Sequence, residues 1–262
     1  MPAARLETAL RVCSPGGRPA LVPFLTAGHP DPARTVDAAV ALAAAGAAAL
    51  ELGIPFSDPI ADGPVIQASS QVALGHGMTV ERSLAMAAEI HARCALPIVM
   101  MTYANPLLRF GAGAFARRAA ESGVDGVILT DVPPDELPEV WDALRDAGVG
   151  AVRLVTPLTR PGRLRRILEG AGGYVYVVSR TGVTGKGEAA AGLEELLRGL
   201  RAMTPLPVAV GFGIESAAHV GRFTGLADAV IVGSALLKRM DAAGPEGAAR
   251  AAGAFLTGLR AG

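Results

Sequence analysis

Cysteine is nearly absent from this 262-residue chain, which has only Cys13 and Cys94 and no CxxC spacing. That count excludes a disulfide framework and a cysteine metal site. Lysine is equally rare, with Lys186 and Lys238 the whole complement. Neither falls on a predicted strand where a desolvated amine could be positioned, so Schiff-base chemistry lacks a nucleophile. The four histidines, His29, His76, His91 and His219, show no ligand spacing and read as surface or capping residues. Net charge is +0, from 24 basic and 24 acidic residues, so no global field draws nucleic acid or an anionic membrane. A small or neutral-faced partner is expected instead. Long apolar runs are missing too. The most apolar stretch, residues 36–50, is interrupted by Asp37 and Gly46, short of the ~18–20 uncharged residues of a membrane span. The start, MPAARLETAL, has no signal-type apolar region. A soluble cytoplasmic protein is expected.

What is present is material for a large core. Hydrophobic residues make up 51% of the chain and charged residues 18%, which argues against disorder. Short apolar runs recur, each followed by a helical pattern. Strands are predicted at 20–26, 48–52, 98–103, 126–130, 151–155, 174–179, 208–211 and 229–233. Helices are predicted at 32–45, 80–93, 113–122, 135–146, 161–169, 193–203, 216–223 and 235–239. Most of the runs are continuously hydrophobic, as strands buried on both faces are. Eight strands alternating with helices predict an α/β fold, a closed (β/α)8 barrel, with an open doubly wound sheet the alternative. An amphipathic segment at residues 3–13 is positioned to plug the barrel bottom. No linker interrupts the chain, so residues 1–262 are read as a single domain.

In such barrels the active groups come from strand C-termini and the loops after them. Glu51 ends the second predicted strand, where desolvation raises a carboxyl pKa toward the range that both gives and takes protons. Asp62 follows in a loop stiffened by Pro55, Pro59 and Pro64. Two carboxyl groups in different environments can divide acid and base roles. Phe24, Tyr103, Asp131 and Tyr176 lie on or near strand ends and could wall a cavity for a flat apolar ligand. A phosphate site is expected late in the chain, from Gly211-Phe212-Gly213-Ile214 and from Gly233-Ser234 opening a helix. Residues 180–187 read as a mobile lid over it. Neither glycine cluster is a nucleotide motif. Gly187 occupies the Ser/Thr place of a P-loop, and Ser216 the third glycine of a dinucleotide fingerprint.

Six segments, in order along nearly the whole chain, resemble the tryptophan synthase α subunit family. They are 22–28 (VPFLTAG), 51–67 (ELGIPFSDPIADGPVIQ), 101–106 (MTYANP), 131–133 (DVP), 179–185 (SRTGVTG) and 211–214 (GFGI). The resemblance implies a TIM barrel with an extra N-terminal helix. The implied reaction is retro-aldol cleavage of indole-3-glycerol phosphate to indole and glyceraldehyde 3-phosphate in tryptophan biosynthesis. It implies no cofactor in this chain, and an α2β2 heterotetramer whose β subunit carries PLP. By resemblance Glu51 is the acid/base and Asp62 receives the indole N–H. Phe24, Tyr103, Ile128, Thr130 and Tyr176 match the indole pocket. Gly185, Phe212, Gly213, Gly233 and Ser234 match the phosphate site, Thr184 a lid residue, and Asp58 a position at the β-subunit interface. Thr130 stands where an alanine can occur, and His29 where an acid often follows Gly28. The alternatives are a non-catalytic regulatory partner of a β subunit, a stand-alone indole-releasing lyase, or a phosphosugar isomerase on the same fold.

Overall fold

The computed structural model describes residues 2–12, 17–178, 188–211 and 213–261. Eight parallel strands close into a barrel in sequential order. They are β1 (Ala20–Thr26), β2 (Leu50–Gly53), β3 (Ile98–Thr102), β4 (Val124–Leu129), β5 (Gly150–Val155), β6 (Val175–Val178), β7 (Val208–Gly211) and β8 (Ala229–Val232). The ring closes where Ala20 to Pro23 of β1 pair with Ala229 to Val232 of β8. The open-sheet alternative is therefore set aside.

Among the described residues eleven helices accompany the strands: α1 (Pro2–Val12), α2 (Pro32–Ala44), α3 (Pro64–Gly75), α4 (Val80–Cys94), α5 (Ala104–Phe110), α6 (Ala112–Glu121), α7 (Pro138–Asp146), α8 (Pro161–Leu168), α9 (Glu188–Met203), α10 (Ala217–Gly221) and α11 (Ser234–Arg260). Several starts follow local chemistry. Asp31, Thr79 and Ser216 each accept a backbone N–H from the first turn of the helix they precede.

Alternation along the strands makes two apolar layers. Leu50, Leu52, Ile98, Met100, Val127 and Val208 pack outward under the helices. Ala20, Val22, Ala49, Val99, Ile128, Val152, Ala209, Ala229 and Ile231 fill the interior. Both faces of β1, β2, β4, β7 and β8 are buried throughout, as strands between a filled interior and covering helices are.

The bottom of the barrel is closed by α1, as the amphipathic segment predicts. Leu6 and Leu10 join the interior cluster. Leu6 fits because Gly126 on β4 and Gly173 ahead of β6 lack side chains: a Cβ there would lie 3.3 or 2.9 Å from Leu6 Cδ2. Arg5 fastens the plug, donating from Nε and Nη2 to both carboxylate oxygens of buried Asp125 at 2.8 and 2.6 Å.

The differences from expectation have local causes. Helix α3 buries Ser69, Ser70 and Ala73 and carries no broad apolar stripe. Helix α5 holds Pro106 in its first turn, where the missing N–H costs nothing. Helix α7 starts at Pro138 because Leu137 ahead of it is left-handed, at φ 52°. Helix α11 is far longer than 235–239, two helices merged across a kink at Gly244 (φ 68°) and Pro245. His29 corrects the surface reading: it is buried, with Nε2 3.0 Å from Asp241 Oδ1.

Replacing Leu6 by Ala removes the plug from the barrel floor and is expected to destabilise the fold by about 2–5 kcal/mol. Urea unfolding measures this. A loss below about 1 kcal/mol would mean that α1 is not part of the cooperative core.

Candidate active site

Glu51 is the centre of the site. It sits on β2 in register with Phe24 of β1 and Val99 of β3, and only 1% of it is exposed. Strand β6 lies across the barrel from β2 in the closed order. Tyr174, just before β6, spans that interior and its hydroxyl donates to Glu51 Oε1. The crossing has room because Ala20, Ala209 and Ala229 of β1, β7 and β8, with Ala49 just before β2, line the interior. Desolvation pushes the Glu51 carboxyl up to about 8, and the Tyr174 hydrogen bond only partly opposes it. Glu51 is therefore protonated at neutral pH, and ionisable close to it.

Asp62 lies in the loop between β2 and α3 and is half-buried. Partial burial raises its pKa, and the neighbouring Tyr103 hydroxyl works against the rise. Tyr103 follows β3 and is itself buried. Its hydroxyl accepts from the Ala61 backbone N–H at 3.1 Å, which ties the Asp62 loop to the barrel rim. Desolvation and the Asp62 charge push the Tyr103 phenol up to about 12, so it remains a proton donor. Phe56 packs on its ring with centroids 5.3 Å apart.

Tyr176 links the two carboxyl groups. Burial holds its phenol neutral, and both Glu51 and Asp62 add to the effect. Its ring lies 6.4 Å from that of Tyr174. Gly211 on β7 makes way for it: a Cβ there would sit 1.9 Å from the Tyr176 hydroxyl. Phe24 occupies the opposite wall, between Gly53, whose Cβ would meet the ring at 2.7 Å, and Gly233, whose Cβ would lie 3.6 Å from Phe24 Cβ. Ile128 and Leu154 belong to the same interior cluster. Thr130 donates to the Thr102 carbonyl at 3.3 Å, which satisfies its hydroxyl at the β4 end.

Asp131 is not drawn into this cavity. It is exposed and its Oδ1 accepts from Ala104 N at 2.9 Å, at the start of α5. Strands β7 and β8 are paired neighbours, so Gly213 (φ 72°) and the Gly233-Ser234 start of α11 follow adjacent strand ends. Backbone N–H groups there suit an anion. Thr184, Gly185 and Phe212, with Arg180 and the rest of the expected lid, lie outside the described residues. Asp58 is exposed on the loop before α3 and accepts from Ser57 Oγ. Tyr174 is the residue that strand-end reasoning passed over. Its signal was the two-residue spacing to Tyr176, which puts both rings on one face.

The raised pKa of Glu51 sets a stability profile. The unfolded carboxyl releases its proton near 4.5, the folded one near 8. Between those values folding takes up a proton, so stability falls as pH rises and levels off above about 8. Glu51→Gln cannot ionise and is expected to gain on the parent across that window, by at most about 5 kcal/mol. Urea midpoints from pH 4.5 to 8.5 check this, and a constant difference would refute the burial argument.

Comparison with known proteins follows the same outline. Residues 11–257 match the family described as tryptophan synthase alpha chain. The tryptophan synthase alpha chain of Burkholderia thailandensis is 44% identical over 260 residues, which covers 98% of this chain and 96% of that one. The crystal structure of the alpha chain from Legionella pneumophila superposes with a TM-score of 0.87 at 35% identity, covering 98% of this chain and 95% of that one. A Mycobacterium tuberculosis tryptophan synthase structure gives 0.87 at 35%, covering 98% and 99%. With a closed barrel, a buried carboxyl at the end of β2 and a second in the following loop, this chain belongs to the tryptophan synthase alpha chain family.

Proposed function

We propose that residues 1–262 act as one domain that cleaves indole-3-glycerol phosphate, with Glu51 and Asp62 as its catalytic pair. The observation that carries this reading is the buried, protonated Glu51 inside the barrel, hydrogen-bonded by Tyr174 and with the Tyr176 ring beside that tyrosine. Membership of the alpha chain family makes the chain a lyase of tryptophan biosynthesis and implies a β-subunit partner.

In the proposed step Glu51 gives its proton to indole C3. The ring becomes a cation, and Asp62 accepts the N–H hydrogen bond and stabilises that charge. The carbon–carbon bond then breaks, its electron pair returning to the ring. The O–H electron pair of the adjacent glycerol hydroxyl forms the aldehyde carbonyl. Glu51, now a carboxylate, takes that hydroxyl proton and is restored. A pKa near 8 suits both halves of the cycle at neutral pH. Phe24, Tyr103, Ile128, Thr130 and Tyr176 hold the indole. Gly213, Gly233 and Ser234, with Gly185 and Phe212, bind the phosphate, and Thr184 belongs to the lid.

The step needs no cofactor from this chain, and PLP belongs to the β subunit. Asp58 is proposed to meet that partner in an α2β2 assembly. Ile60, 83% exposed two residues away, supports a docking surface there. Among the described residues no helix is long and apolar enough to cross a membrane, in keeping with a proposed cytoplasmic setting.

Indole release from indole-3-glycerol phosphate, followed with and without a tryptophan synthase β subunit, tests the reading. Release that rises with β is expected; no release under either condition overturns it. Glu51→Gln is expected to lose at least ~100-fold in turnover with the fold intact, and Asp62→Asn to be severely impaired. Near-normal turnover in either removes its role. Tyr174→Phe withdraws the hydrogen bond that lowers the Glu51 pKa, so the alkaline limb of kcat/KM is expected to move to higher pH. An unmoved limb would mean that Tyr174 only fills space.

A further inference from the structure

Arg153 on β5 is outside everything described so far. Its neighbours Val152 and Leu154 face the barrel interior, and Arg153 points outward beneath α7 and α8. Only 5% of it is exposed, yet Nε and Nη1 are buried with no hydrogen-bond partner among the described residues. No carboxylate among them pairs with it either. Its guanidinium carbon lies 3.9 Å from the ring centroid of Trp141, which steadies the cation without filling its donors. A buried guanidinium lacking a counter-charge is costly and calls for an anion.

The space for that anion is present. A cleft of about 310 Å³ opens beside Arg153, within the size range of small-molecule sites. Its walls include Leu129, Val132, Pro133, Trp141 and Ile167. The other charged groups limit what can enter. Arg163 at the rim is already held at both oxygens of Asp135, at 2.5 and 2.6 Å. Asp131 also lines the cleft and adds negative charge. One positive charge is thus left to satisfy, beside a carboxylate that disfavours a dianion.

We propose that this cleft binds a small organic monocarboxylate, its carboxylate on Arg153 and its apolar body against Trp141 and Pro133. The cleft shares Val152 and Leu154 with the barrel interior but takes in neither Glu51 nor Asp62. Thr130, proposed above to hold the indole, lines this cleft as well.

Trp141 is the only tryptophan in the chain, so its emission reports on the cleft. The full chain would be titrated with benzoate, with its neutral isostere benzamide, and with inorganic phosphate, all at constant ionic strength. A saturable change in Trp141 emission is expected with benzoate, and little or none with benzamide. Arg153→Met is expected to weaken benzoate at least ~10-fold, and far-UV circular dichroism checks its fold. An unchanged benzoate midpoint in that variant places binding elsewhere and overturns the proposal. So does benzamide binding as tightly as benzoate, a comparison that needs no variant. Phosphate binding more tightly than benzoate overturns the monocarboxylate assignment. No benzoate response, with emission changing only on addition of a β subunit, gives the cleft to the protein partner instead.

Discussion

A carboxyl group kept inside a closed, dry barrel is the constraint around which this molecule is arranged. Glu51 is almost fully enclosed, and its Oε1 accepts a hydrogen bond from Tyr174 on the far side of the interior. That bond requires an interior that is crowded on one side and sparse on the other. Alanines on β1, β7 and β8 and just before β2 leave the space, while Val99, Ile128, Val152 and the two tyrosines fill the remainder. The floor must be sealed as well, and α1 does this through Leu6 and the bond of Arg5 to buried Asp125. The amphipathic segment that the sequence places at the barrel bottom is therefore what seals the interior beneath Glu51.

The two carboxyl groups owe their difference to distance from solvent. Glu51 is enclosed and its desolvation dominates. Asp62 stands on a loop at the rim, where burial is partial and Tyr103 offsets part of the effect. The loop does not drift, because the Tyr103 hydroxyl holds the Ala61 N–H. A single phenol thus ties the loop of the second acid to the barrel rim. Burial raises both carboxyl groups, by full enclosure at Glu51 and by partial enclosure at Asp62.

Much of this was legible in the chain, and the reasons for success and failure are physical. Strands buried on both faces announce themselves by unbroken apolar runs; β1 and β7 were read to the residue. A charged residue at the end of such a run, as at Glu51, stands out against its surroundings. Long-range partners leave no such mark. Nothing near Tyr174 in sequence indicates that it reaches Glu51, 123 positions away. Helices α3 and α5 were passed over because one buries few large apolar groups and the other opens on Asn105-Pro106. His29 reads as a surface or capping residue, since burial of a polar side chain is decided by what folds over it. Asp131 looked like a cavity residue from its strand-end position, but an unpaired helix N–H claimed it first.

The close approach of Tyr176 to Gly211 carries a consequence for how sequences of this kind can drift. The space a Cβ would take at position 211 is filled not only by the phenol oxygen but also by Cζ and Cε1 of the ring, at 2.4 and 2.6 Å. Exchanging tyrosine for phenylalanine would not free it. Any larger residue at 211 has to be preceded or accompanied by a smaller one at 176, so the two positions evolve as a unit. A glycine that looks like part of an anion-binding turn is thus held in place by an aromatic ring on the neighbouring strand.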